Sequence, residues 1–223
     1  MIPLRDDIRS RRRPFVMYAI IGINILVFLY ELSLGSDLNR FITLYGAVPY
    51  FIFNPQGISS YLVIFTSMFI HAGIFHIGFN MLFFWVFGDN IEDRMGHIIF
   101  IFFYLATGTA GALLHSVMAP SSTIPMVGAS GAISGVLGAY IILYPKAKVV
   151  ALIPIIFFFR VFRLPAIVFL GIWFLYQLLY GLSASTAGGG VAYLAHIGGF
   201  IAGVVFALPF LRKKKRDQDY VIY

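Results

Sequence analysis

The sequence predicts an all-α membrane protein of six transmembrane helices with both termini on the cytoplasmic side, and three observations carry that expectation. Several apolar runs approach or exceed the ~20 residues needed to cross a ~30 Å hydrocarbon layer. Hydrophobic residues make up 60% of the 223-residue chain and charged residues only 11%, against about 25% charged in soluble domains. The basic residues gather beside the apolar runs in a one-sided pattern.

An arginine-rich head, Arg5 to Arg13, leads into a first apolar run from Pro14 to about Leu34. The run exceeds the roughly 7–15 residues of a signal core and no small-residue cleavage site follows, so a retained helix is expected. The loop from Gly35 to Ser60 contains Pro49, Pro55 and Gly57. Its apolar part, Leu44 to Phe53, suits the membrane interface, where Tyr and Phe rings sit among headgroups. The block Tyr61 to Phe87 is too long for one crossing and is broken at His71-Ala72-Gly73, so a second helix is expected from near Gly73 to Gly88. A polar turn, Asp89 to Arg94, should follow. The third helix is expected over His97 to Met118 and the fourth over Val127 to Tyr144, where Pro145 ends it. Residues Lys146 to Arg163 carry four basic side chains and Pro154 in apolar surroundings and read as an interfacial connection. The fifth helix is expected over Leu164 to Gly181, a Ser- and Gly-rich loop over Leu182 to Gly189, and the sixth over Gly190 to Leu211. The organisation is thus a basic segment 1–13, a membrane domain 14–211 and a basic tail 212–223.

With six crossings and a cytoplasmic N-terminus, fifteen of the sixteen Lys and Arg residues fall inside and only Arg40 outside, as retention of positive charge on the cytoplasmic side demands. One crossing more or fewer would misplace the later clusters. The net charge of +7 therefore reads as topology, with no extended basic surface to follow a nucleic acid. The absence of cysteine excludes disulfides, a thiolate nucleophile and a thiolate metal site. No metal or cofactor is expected: His-Glu-x-x-His is missing, and His71 and His76 are five apart, which is poor spacing for one helix face.

Polar groups inside a bilayer are costly and so are functional candidates. The expected spans contain His76 and Asn80 in the second, His97 and His115 near the ends of the third, Ser130 and Ser134 in the fourth, Gln177 in the fifth and His196 in the sixth. After Glu31 no carboxylate lies well inside a span. The second, fourth and sixth helices run the same way, and His76, Ser130 and His196 each fall in about the first two turns, within ~10 Å of the outer interface. Asn80 lies one turn deeper on the face of His76. Ser130 is set in Gly128-Ala129-Ser130-Gly131, and His196 shares a face with Gly199 and Gly203, so small residues favour close helix approach at both.

A serine hydroxyl needs a general base, and histidine suits neutral pH. Without an intramembrane carboxylate, the arrangement is a Ser130–His196 dyad oriented by packing. The Ser130 backbone N–H, the Asn80 amide and the His76 imidazole can supply the hydrogen bonds a tetrahedral intermediate needs. Each residue alone has a plainer reading: Ser130 as part of a packing seam, His196 as an interhelical hydrogen bond, His76 and Asn80 as a structural polar pair. Shared depth is what joins them. His71 reads as a loop residue, and His97 and His115 as interface residues.

These residues resemble the rhomboid family of intramembrane serine proteases. The matching pattern is His71…His76-x-x-x-Asn80, Glu92-x-x-x-Gly96, Gly128-x-Ser130-Gly131 and Ala195-His196-x-x-Gly199-x-x-x-Gly203, and it covers the whole six-helix core. The resemblance implies a rhomboid-like bundle in which Ser130 is the nucleophile, His196 its base, and His76 and Asn80 oxyanion stabilisers. It also implies a first loop partly in the membrane and a loop near Ser183 to Gly189 over a water-filled cavity. The partners implied are the lipid bilayer and membrane-protein substrates cleaved in a transmembrane helix. Glu92 and Arg94 would tie the turn after the second helix. The Trp-Arg pair found in the first loop of many members is absent. A cell-membrane location is expected. The rival readings are a catalytically inactive rhomboid-like protein that binds transmembrane helices and a small transporter; the second lacks a buried carboxylate and an inverted repeat of broken helices.

Overall fold

Long apolar runs bounded by glycine and proline become helices close to where the pattern places them. The computed structural model describes residues 1–155, 158–183 and 192–211. Helix α1 is Phe15–Ser33 and begins directly after Pro14. Three short helices fill the first loop: α2 Leu38–Tyr45, α3 Pro49–Phe53 and α4 Ser59–Thr66. The first turn of α3 contains its proline, whose missing N–H costs nothing there. Helices α5, Ile74–Met95, and α6, His97–Met118, meet at Gly96, which adopts φ +84°. Then come α7 Ser130–Leu143, α8 Ala166–Ser183 and α9 Tyr193–Ala207. Among the described residues, four helical segments are long and apolar enough to cross a membrane: Phe15–Ser33, Ile74–Met95, His97–Met118 and Tyr193–Leu211. Helices α7 and α8 are shorter apolar helices.

Helix α7 is the centre of the bundle. Every residue from Gly131 to Tyr140 is buried, and the helix packs against α5, α6, α8 and α9. Glycine makes this crowding possible. A Cβ on Gly199 would collide with the Gly131 carbonyl, one on Gly203 with the Gly135 carbonyl, and one on Gly138 with the Phe200 carbonyl. Small residues thus let α7 and α9 touch backbone to backbone, the close approach expected of helices packed in lipid. On the outside, large apolar side chains such as Leu26, Phe102 and Leu179 stay exposed, as residues facing acyl chains would.

Two expectations are corrected. The polar stretch Asp89 to Arg94 is no turn: α5 continues through it to Met95, because Glu92, Asp93 and Arg94 all find partners at the helix end. Nor is the chain all-α. Residues expected as an interfacial connection form an antiparallel hairpin, β2 Lys148–Ile155 and β3 Phe158–Pro165, to which β1, Ile2–Arg5, adds in the order β1-β2-β3. Burial alternates along β2, since Val149 and Ala151 are fully buried while their neighbours are less so, as in a strand with one covered face. The basic tail after Leu211 and most of the loop before α9 lie outside the described residues.

The end of the bundle that carries this sheet is knitted by polar contacts. Glu92 accepts the backbone N–H groups of Val16 at 3.0 Å and Met17 at 2.7 Å, placing a carboxylate at the positive end of α1. Asp93 accepts the N–H groups of Arg11 and Arg12. The Arg94 guanidinium donates to the Phe210 carbonyl at 2.8 Å. Asp6 accepts from the Tyr140 hydroxyl and the Asn90 amide. The start of α1, the end of α5, the end of α7 and the end of the last helix therefore meet at one face.

Candidate active site

At the opposite end of α7 the chain runs without helix from Ala119 to Ala129 before becoming helical. Gly128 donates its N–H to the Ser67 carbonyl at 2.8 Å, and Met126 and Ala47 exchange backbone hydrogen bonds, which anchors the strand-like approach to the first loop. Gly128 then turns at φ +120°, a conformation that favours glycine. A Cβ there would also lie 2.7 Å from His76 Nε2 and 3.6 Å from Ser130 Oγ, so His76 and Ser130 flank a single point. Ser130 is the first residue of α7. Its N–H is one of the helix-terminal donors without an intrahelical partner, and the positive end of the helix dipole lies there.

His196 occupies the first turn of α9. Because Gly199 rests on the Gly131 backbone, that first turn is held beside the start of α7. His76, Asn80, Ser130 and His196 all line one cavity of about 950 Å³. The structure therefore brings the four sequence-predicted residues together. Phe75, Phe79, Phe83, Ile133, Leu137 and Trp173 form much of its apolar wall, and a mostly apolar cavity with a few convergent polar groups is the usual form of a binding site.

The polar contacts assign directions. Ala72 donates its N–H to His76 Nδ1 at 3.4 Å; an accepting Nδ1 leaves the ring proton on Nε2, toward Gly128 and Ser130. Asn80, buried, donates Nδ2 to the His76 carbonyl at 3.0 Å, which leaves one amide hydrogen uncommitted by that bond. Ser134 donates to the Ser130 carbonyl at 2.6 Å, so its hydroxyl serves the helix. His196 Nδ1 lies 2.8 Å from the Gln177 side-chain oxygen on α8.

The structure adds to the sequence reading of three residues. His115, expected at an interface, lines the cavity with the other two histidines. Gln177, which the sequence marks only as an intramembrane polar group, touches the imidazole of His196. His71, in a loop as expected, is fully buried, and its ring meets that of His76 edge-on at 5.0 Å. It lies in the connection before α5, where burial pushes its ring down to about 4, so it is neutral near pH 7. His97 is paired with Glu92 at the far end. Residues 184–191, most of the loop expected over the cavity, lie outside the described residues.

Comparison with known proteins places these features. A family model described as the Rhomboid domain matches residues 59–213. Rhomboid protein 1, mitochondrial, of Saccharomyces cerevisiae is 31% identical over 201 residues, covering 86% of this chain and 52% of the yeast protein. Rhomboid protease GluP of Bacillus subtilis is 33% identical over 198 residues, covering 88% of this chain and 36% of its own length. Inactive rhomboid protein 1 of Drosophila melanogaster is 30% identical over 114 residues, which is 51% of this chain and 8% of that protein. The chain thus spans about half the length of the yeast relative and about a third of the Bacillus one. The first is named as mitochondrial, so a cell-membrane location finds no support in these relatives.

Proposed function

The chain belongs to the rhomboid family of multi-pass membrane proteins, and on that premise we propose that it is an intramembrane serine endopeptidase in which Ser130 and His196 form the catalytic dyad. The observation that carries this reading is the convergence of Ser130, His196, His76 and Asn80 on one cavity, with Ser130 at a helix N-terminus.

In this mechanism His196 Nε2 takes the proton from Ser130 Oγ as the oxygen attacks the carbonyl carbon of a substrate peptide bond. The resulting oxyanion is held by the Ser130 N–H, His76 Nε2–H and the Asn80 amide. Collapse breaks the C–N bond, and the leaving amine takes the proton from His196. Water then attacks the Ser130 ester, giving its proton to His196, and the carboxylate product leaves as Ser130 recovers its hydrogen. Substrates of this reading are membrane proteins whose transmembrane helix enters the cavity.

The same proposal includes six crossings. Helix α7, with 14 residues, is only about 21 Å long, which fits a helix that starts below the outer surface at the floor of a wet cavity. Helix α8 would be the fifth crossing. The polar knot joining the starts of α1 and the ends of α5, α7 and the last helix, with β1 paired to the α7–α8 hairpin, supports an even number of crossings between the two chain ends. That face carries Arg11, Arg12 and Arg94 and would lie on the side from which the chain inserts.

Reaction with a fluorophosphonate tests the nucleophile. We expect one covalent adduct, mapped to Ser130 by peptide mass spectrometry and lost in His196→Ala. A folded protein that takes no adduct would instead favour the inactive, helix-binding reading that the Drosophila relative's name brings into view.

A further inference from the structure

We infer that Gln177 is the positioning residue of the dyad, accepting a hydrogen bond from His196 Nδ1 and so holding the ring with Nε2 free toward Ser130. This rests on the protease reading and adds to it a third member from a third helix. The Gln177 oxygen lies 2.8 Å from His196 Nδ1, and the side chain is buried, 5% exposed. The direction of the bond follows from the amide's other end: Gln177 Nε2 points at the Trp173 carbonyl, 3.5 Å away, one turn back on α8. An amide whose nitrogen faces a carbonyl offers its oxygen to the imidazole. A ring whose Nδ1 donates keeps its lone pair on Nε2, the form a general base needs. In triads a carboxylate performs this task; a neutral amide fixes the tautomer without moving a charge into the bundle, where an unpaired carboxylate would be costly. Packing supports the placement, since Trp173 and Phe174 of α8 both lie against Phe200 of α9, the latter stacked at 4.3 Å.

The test uses the full chain in detergent micelles with ¹⁵N-labelled histidine, beside Gln177→Leu and Gln177→Glu. The other titratable groups around the ring are His76 on α5, His115 on α6 and Tyr193 on α9 itself, with Ser130 on α7. In the unmodified protein His196 should be the Nδ1–H tautomer, and Gln177→Leu should convert part or all of it to Nε2–H. Turnover of a model transmembrane substrate should fall at least about tenfold in kcat with KM little changed, as expected when a base is held in the wrong tautomer. Gln177→Glu keeps size and acceptor, so it should fold and remain active. Its carboxylate favours the protonated ring, so the acidic edge of the pH–rate profile should move up by about one unit or more. An Nε2–H tautomer in the unmodified protein would overturn the inference, as would a folded Gln177→Leu with unchanged tautomer and kcat. If the unmodified chain cleaves nothing while the tautomer still responds to residue 177, the protease reading fails and the positioning role stands.

Discussion

The amide of Asn80 gives one hydrogen to the His76 carbonyl, and its second hydrogen is the one an oxyanion would use. Removing one such donor costs about 2.7–4 kcal/mol of transition-state stabilisation in favourable cases. Asn80→Ala should therefore lower kcat by about a hundredfold while KM and the thermal midpoint change little; an unchanged kcat with normal substrate binding would remove Asn80 from the oxyanion site. At this scale the sequence was informative where polarity is rare. Ser130, His196, His76 and Asn80 stand out because few polar groups occupy apolar runs, and the four line one cavity. Gln177 stood out for the same reason, but its partner depends on how α8 is rotated against α9, which no spacing within α8 records. The cavity-lining position of His115 was hidden in the same way, since α6 carries apolar residues on every side.

Elements were legible when they were long, apolar and bounded by Gly or Pro, as α6 shows by matching its expected limits at His97 and Met118. The sheet was not legible, because its strands are hydrophobic on both faces and the first lies more than 140 residues from its partner. What docks β1 is partly Asp6, which follows the strand and bonds Tyr140 of α7 and Asn90 of α5. Burial pushes its carboxyl up to about 7 from 3.8, despite the opposing bond from Tyr140. Asp7 and Asp89 are the acidic neighbours that add to the rise. A folded state that holds a proton the unfolded chain has lost becomes less stable as pH rises through that interval, from about 4 to about 7. Asp6→Asn, whose side-chain oxygen can still accept both bonds, should remove this component. The expected result is a smaller fall in thermal midpoint between pH 5 and pH 8 than in the unmodified protein; identical slopes would show that Asp6 titrates equally in both states.

The whole molecule separates its tasks by end. One face ties the basic N-terminal segment and the helix ends through Glu92, Asp93 and Arg94, while the other face opens the cavity on Ser130 and His196. The glycine contacts between α7 and α9 hold the starts of the two helices that carry Ser130 and His196 side by side, so the proposed dyad and the packing use the same seam. Charge distribution predicts which end faces the side of insertion, because basic residues resist translocation. It could not reveal that the N-terminal segment pairs with a hairpin between α7 and α8. The most direct test of the central claim is cleavage of a model transmembrane substrate by the purified full chain in detergent, beside Ser130→Ala and His196→Ala. The unmodified chain should cleave within the substrate's membrane segment, and both variants should lose that cleavage with thermal unfolding nearly unchanged. Cleavage that persists in folded Ser130→Ala, or a folded unmodified chain that cleaves none of several such substrates, would contradict the claim.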